Sequence, residues 1–127
     1  PRRAIYGVGA IRAYDGDDAA GSRLLMRTSM GKARFERLFL IKETSSGGNL
    51  YVLVADSGVV FVDREGEERL TAQFKDIHTC RTIERGGETV LYIVTLVGGS
   101  KDIGLGNGEG VKDVVKDLVE MINERKG

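Results

Sequence analysis

From Phe35 the side-chain pattern takes a period of two, and up to Leu105 short clusters of Gly, Ser and Asn cut the chain into strand-length pieces, of which Glu88–Val97 is apolar on both faces. Phe35, Arg37, Phe39 and Ile41 alternate with Glu36, Leu38, Leu40 and Lys42. The same reading predicts strands over Leu50–Asp56, Val59–Arg64, Arg69–Lys75, Ile77–Arg85, Glu88–Val97 and Lys101–Leu105. The breaks between them are short: Ser45–Asn49, Ser57-Gly58, Glu65–Glu67, Gly86-Gly87 and Gly98-Gly99. Gly supplies 18 of 127 residues and Pro only one, a bias toward turns rather than toward a disordered linker. Turns this tight force neighbouring strands to run antiparallel.

After the last strand the period changes. Val111, Val114, Val115, Leu118, Val119 and Ile122 fall on one helical face, and Lys112, Asp113, Lys116, Asp117, Glu120, Asn123 and Glu124 fill the other. This predicts a closing amphipathic helix over 110–126, its apolar stripe covering an open sheet face or barrel mouth. A second, shorter helix is predicted over Asp17–Ser29, N-capped by Asp17 or Asp18, weakened by Gly21 and ended by Gly31. Ile11–Tyr14 reads as a short extended piece.

The expected class is α+β, mainly β. Its architecture is a pleckstrin-homology-like barrel of about seven antiparallel strands, with a C-terminal capping helix and a short N-terminal helix. Periodicity alone also allows a flatter α+β sheet. The 127 residues fit one domain: residues 1–31 as an N-terminal extension, 35–105 as strands, 110–126 as the closing helix. A first residue of Pro rather than Met predicts a piece excised from a larger protein.

Most chemistries lack their residues. No apolar run is long enough to span a bilayer, and the N-terminus has no secretory-signal pattern. Net charge is zero, where a general nucleic-acid binder would carry excess Lys and Arg. Gly104, Gly106, Gly108 and Gly110 precede a helix, but their strict spacing of two does not fit the dinucleotide fingerprint, and no strand follows the helix. Gly31-Lys32-Ala33 fails the phosphate-loop pattern at its third place. Asp15, Asp17 and Asp18 resemble a calcium loop, yet Met26 stands where that loop needs a bidentate Glu. His78 and Cys80, two apart on one strand, offer half a metal site at most, and there is no other His or Cys. The single Cys excludes an internal disulfide and fits a reducing compartment. The expectation is therefore a non-enzyme, with no cofactor and no metal. A small ligand-binding or enzymatic α+β domain centred on His78 and Cys80 is one alternative; a scaffold domain binding acidic peptides is another.

Two positive signals remain. Residues 1–42 carry nine basic and four acidic side chains, net +5, balanced by net −5 in the rest. Lys32, Arg34, Arg37 and Lys42 are the candidate lipid-binding cations, since Lys and Arg supply charge-assisted donors to phosphate. The following loop, Thr44–Asn49, holds no basic residue, which argues for weak anionic-lipid attraction rather than a tight headgroup pocket. The second signal is the fifth predicted strand, expected at a sheet edge beside the closing helix. Its run Ile77, His78, Thr79, Cys80, Arg81, Thr82 and Ile83 carries one charge and no Pro, a poorly defended edge to which an extended partner segment can add.

The residues also resemble a family. Pro1-Arg2, Gly9–Tyr14 and Asp18–Leu25 look like the entry to the C-terminal pleckstrin-like domain of the vacuolar-protein-sorting-thirteen (chorein) family of bridge-like lipid-transfer proteins. Asp56–Val62 is similar to that domain's second hairpin, and the closing helix fits its end. The strands after Phe74 carry little that is specific to the family. The resemblance implies a targeting or adaptor module of a large lipid-transfer protein. It implies cytoplasmic placement, peripheral at organelle membranes or contact sites. The implied partners are an Arf-type small GTPase, an integral membrane adaptor or phosphoinositides. No nucleic acid is implied, and the isolated domain is expected to be a monomer.

Overall fold

The computed structural model describes residues 4–8, 11–14, 19–108 and 110–126. Strands β1 (Ala4–Val8) and β2 (Ile11–Tyr14) come first, then helix α1 (Ala19–Met26). Next are β3 (Phe35–Lys42), β4 (Asn49–Ala55), β5 (Gly58–Asp63), β6 (Glu68–Gln73), β7 (Ile77–Arg85), β8 (Glu88–Thr95) and β9 (Gly99–Gly104). Helix α2 (Val111–Arg125) comes last. β1 to β6 form one antiparallel sheet in chain order, and β7 to β9 form a second. A 3-10 turn, Phe74–Asp76, carries the chain from one sheet to the other. It is bonded to both sides: the Phe74 N–H donates to Ser57 O at 3.0 Å, and the Leu96 N–H donates to Asp76 O at 2.8 Å.

The class is the expected one, mainly β with a closing helix. The barrel is not closed; the seven expected strands are present as β3 to β9, and β1 and β2 bring the strands among the described residues to nine. The extended piece Ile11–Tyr14 is β2, and it lies along β3 with Arg12 opposite Leu40 and Tyr14 opposite Leu38. It occupies the β3 edge that a closing strand would need. At that corner the two sheets are joined by the Thr44 N–H, which donates to Gly104 O at 2.9 Å. The Gly-rich stretch is part of this joint. A Cβ on Gly104 would lie 2.7 Å from Thr44 Oγ1 and 2.8 Å from Glu88 Oε1. The Glu88 carboxylate accepts from Thr44 Oγ1 at 2.9 Å and from the Gly106 N–H at 3.1 Å. These glycines let a strand end approach a loop closely.

The six-stranded sheet buries side chains on both faces. On one, Phe39, Ile41, Val52, Val54, Val59 and Phe61 meet Ile77, Cys80, Leu91, Ile93 and Ile103 of the second sheet, with Val114, Val115, Leu118 and Ile122 of α2 closing the cluster. The apolar stripe read from helical spacing is therefore the buried face of α2. On the other face Leu38, Leu53, Ala55, Val60 and Val62 pack with Phe35 and with Leu25 of α1. Two covered faces explain why β5 reads Val-Val-Phe-Val without alternation.

Helix α1 is shorter than expected. It ends at Met26 because the chain tightens at once: the Thr28 N–H and Oγ1 both donate to Leu25 O, and the Gly31 N–H donates to Thr28 O. Its expected caps, Asp17 and Asp18, lie outside the described residues. Gly21 has a packing reason, since a Cβ there would lie 2.3 Å from Cζ of Phe35.

Candidate partner-binding cleft

β7 has the boundaries read from the sequence, Ile77–Arg85, and it is the edge of the second sheet beside β8. Which of its main-chain groups are unpaired follows from the hairpin. Arg85 and Glu88 flank a two-residue turn, and Gly86 and Gly87 have φ of 60° and 81°. Positive φ at both central residues is the type I′ turn, whose flanking pair exchanges both ladder bonds. Alternation then turns the N–H and C=O of Glu84, Thr82 and Cys80 away from β8, toward the edge.

Half of that edge is occupied by α2. Cys80 O accepts from Asn123 Nδ2 at 3.0 Å, and His78 O accepts from Lys126 Nζ at 3.3 Å. The outward main-chain groups of Thr82 and Glu84 have no comparable helix partner among the described residues. Beside them lies a cleft of about 410 Å³ between the strand and α2. Thr82, Glu84 and Thr89 line one wall, and Lys112, Lys116, Val119 and Glu120 the other. Val119 gives it an apolar base, being packed against the main core. Lys112 Nζ spans the mouth to Glu84 Oε1 at 3.1 Å. Both partners are well exposed, so this strap is worth only about 0–1 kcal/mol and yields readily.

The position of α2 is set elsewhere. Arg125 pairs with Glu36 of β3 and lies over the Phe74 ring, 5.7 Å from its centroid. These contacts anchor the C-terminal turn of the helix. The N-terminal half holds to the sheet through Val111, Val114 and Val115.

His78 and Cys80 do not share a face. The ladder slips between Ile77 and Thr79, so Ile77 and Cys80 both turn into the core and His78 is left exposed in the bulge. His78 Nδ1 lies 2.7 Å from Thr79 Oγ1. Cys80 is buried, and burial pushes its thiol up to about 12, with Lys126 working weakly against that rise. A thiol so placed stays protonated at neutral pH and is no nucleophile. Among the described residues no group of three or more His, Cys, Asp or Glu is gathered that could hold a metal.

The four basic candidates do not form one patch. Lys32 lies in the loop after α1, and Arg34 precedes β3, its N–H donating to Asp56 Oδ1 at 3.1 Å. Arg37 and Lys42 stand five residues apart in an unbroken part of the ladder, so they point to opposite faces of the sheet. Lys42 is also at the far end of β3 from Arg34, about 27 Å away at ~3.4 Å per residue. Only Lys32 and Arg34 share an end.

Sequence reasoning missed the helix side of the cleft. Lys112, Lys116 and Glu120 recur at helical spacing, a signal that reads as a solvated face until a strand edge lies beside it, and Val119, expected in the buried stripe, is half-buried at the base of the cleft. It also missed a turn. The strand expected to run to Val97 ends at Thr95, whose Oγ1 accepts from the Gly98 N–H at 2.8 Å. Leu96 and Val97 are thereby placed in the turn, 67 % and 87 % exposed.

The sequence model of the family described as intermembrane lipid transfer protein VPS13, C-terminal, matches residues 1–98. No curated protein matches the chain. No helix of the described residues is long and apolar enough to cross a membrane.

Proposed function

The chain belongs to the VPS13 C-terminal family, a family of lipid-transfer proteins, and from that premise we propose that it acts there as a non-catalytic recruiting module, binding a protein partner by strand addition to β7. The open main-chain groups of Thr82 and Glu84 beside the α2 cleft carry this reading. An added strand gains backbone bonds along the edge, while side chains on its α2-facing side enter the cleft. The lysines at 112 and 116 share the α2 wall with Glu120 and face Glu84 across the cleft, which favours a partner segment of mixed charge around an apolar residue for Val119.

This mode favours an extended segment over a globular surface. A cytosolic stretch of an integral membrane adaptor suits it better than a folded Arf-type GTPase. We read the two sheets with their closing helix as a pleckstrin-like arrangement serving that attachment. The buried Cys80 and the separated His78 support a binding role rather than catalysis.

The test compares Thr82→Pro with Thr82→Ala. Pro removes an amide that takes no part in the β7–β8 ladder, so both variants are expected to keep the wild-type unfolding free energy in urea within about 1 kcal/mol. Candidate adaptor segments and GTP-loaded Arf-type GTPases are presented to each. Capture of an adaptor segment by wild type and Thr82→Ala, with loss in Thr82→Pro, is the expected result. Equal capture by both variants removes strand addition as the mode.

A further inference from the structure

We infer that the end of the molecule formed by the β8–β9 turn and the α1–β3 connector is a membrane-contact surface, with Leu96 and Val97 as an inserting apolar tip. Among the described residues the exposed large hydrophobics are Met26, Leu96 and Val97, at 71 %, 67 % and 87 % exposure. They sit at one end. A cleft of about 740 Å³ reaches from Met26 and Lys32 to Gln73, and a second of about 400 Å³ reaches from Gln73 to Val97 and Gly98. The two clefts share Ser29, Met30 and Gln73, so Met26 and the turn border one continuous surface.

The tip is built to project. The Leu96 N–H is satisfied by Asp76 O and the Gly98 N–H by Thr95 Oγ1, so these polar groups of the turn have internal partners. Internal partners lower the cost of moving backbone out of water, the main obstacle to placing a turn at a bilayer interface. The connector is held as well: the Ser29 hydroxyl and N–H donate to the two oxygens of Glu68 at 2.5 and 3.1 Å. The apolar side chains are exposed on fixed backbone.

Shape, more than charge, selects the occupant. Lys32, Arg34 and Lys75 belong to this end and make no ion pair among the described residues. Against them stand Asp56 and Glu68, already engaged by main-chain and hydroxyl donors, and Asp76. The balance is even, so a bilayer is neither drawn nor repelled strongly by charge and the apolar tip carries the attachment. A projecting apolar tip fits a deformable surface better than it fits a protein groove. The family description, intermembrane lipid transfer, supplies the bilayer as a surface that such proteins meet. The inference rests on that family membership and not on the β7 cleft. The turn and the Gly86-Gly87 hairpin stand at opposite ends of β8, about 30 Å apart at ~3.4 Å per residue, so both surfaces can be engaged together.

The chain has no Trp, so Val97→Trp gives a single reporter and Thr82→Trp a control in the cleft. Both are mixed with vesicles of phosphatidylcholine and phosphatidylserine, plain or brominated in the acyl chains. The expected result is a blue shift and bromine quenching at position 97 and neither at position 82. Because Trp itself favours interfaces, the otherwise wild-type chain is compared with Leu96→Ser/Val97→Ser by vesicle flotation, where partitioning is expected to fall roughly tenfold. Most of the wild-type binding should survive 0.5 M salt. Absence of quenching at 97, equal quenching at 82, unchanged flotation of the double variant, or full loss in salt would each overturn the inference. A blue shift that follows protein concentration without vesicles would overturn it too, by assigning the tip to contact between copies. Thr82→Pro should float like wild type, which keeps this outcome separate from the fate of the strand-addition reading.

Discussion

Helices α1 and α2 cover opposite faces of the same sheet, and they do so on different terms. α2 runs 15 residues and buries Val111, Val114, Val115, Leu118 and Ile122 in the cluster that also unites the two sheets. α1 runs eight residues and buries Gly21 and Leu25 over a smaller cluster drawn from one sheet. One helix closes the core of the domain; the other covers a face that the sheet could present without it. The contrast teaches where tolerance lies. The candidate membrane end draws Met26 and Lys32 from the lightly held side, while the partner cleft is cut into the outer flank of the heavily held helix.

The same substitution on both helices is the sharpest way to break this comparison. Leu118 and Leu25 are 0 % and 1 % exposed, so exposure alone predicts equal damage from Asp. Cluster membership predicts otherwise. Leu118→Asp puts a charge where both sheets meet α2, and a loss of about 4 kcal/mol or more is expected. Leu25→Asp can be relieved by lifting α1 off the sheet, and about 2 kcal/mol is expected, with cooperative unfolding retained. Urea midpoints and far-ultraviolet circular dichroism of the two variants check this. Equal midpoints would dissolve the distinction between the two helices.

A smaller effect tests how closely α1 is seated. Gly21→Ala raises intrinsic helix propensity by about 1 kcal/mol. It also drives a methyl into the Phe35 ring, where a Cβ would stand 2.3 Å from Cζ. Overpacking of this kind costs about 1–3 kcal/mol, so the balance is expected to be a net loss of about 1 kcal/mol. A gain in thermal midpoint would mean that α1 moves outward freely, and would widen its contrast with α2.

Legibility in the sequence followed the same divide. The α2 stripe and the bounds of β7 depend on period and turn residues, which are local; the bounds of β7 were readable to the residue, and the stripe in all but the half-buried Val119. Features set by pairing were not. The slip at His78 depends on how Ile77 and Thr79 meet Val94 and Thr95, which no pattern within β7 reveals. β1 carries no polar alternation across Ala4–Val8 and offered nothing to read. Leu96 and Val97 continue the apolar run of β8, and apolarity does not say whether a residue faces core or solvent. The edge position of β7 followed from the expected pleckstrin-like architecture; the α2 side chains that cover half of it did not. Lys32, Arg34, Arg37 and Lys42 are close in sequence, yet a strand separates them by its length and by its two faces.

The smallest effect concerns the connector that follows α1. The Glu68 carboxylate is held below its ordinary value of 4.5, first by the Ser29 hydroxyl, then by the Thr71 hydroxyl and the Ser29 N–H, with burial opposing. A carboxyl with a lowered folded-state value binds fewer protons folded than unfolded near pH 4, so stability rises with pH there. The contribution is complete above the unfolded value and disappears as pH falls through the folded one. Glu68→Gln keeps the shape and one acceptor but cannot titrate. At pH 7 the wild type is therefore expected to have the slightly higher urea midpoint, and the gap should close below about pH 4. Ser29→Ala should produce a similar gap and a similar closure, because it removes the first donor from the same carboxylate. If Glu68→Gln keeps a constant offset down to pH 3, the connector is held by packing of Met30 and Ala33 against the small cluster instead. α1 would then be seated by apolar contact alone, as α2 is, and the difference between the two helices would reduce to one of area.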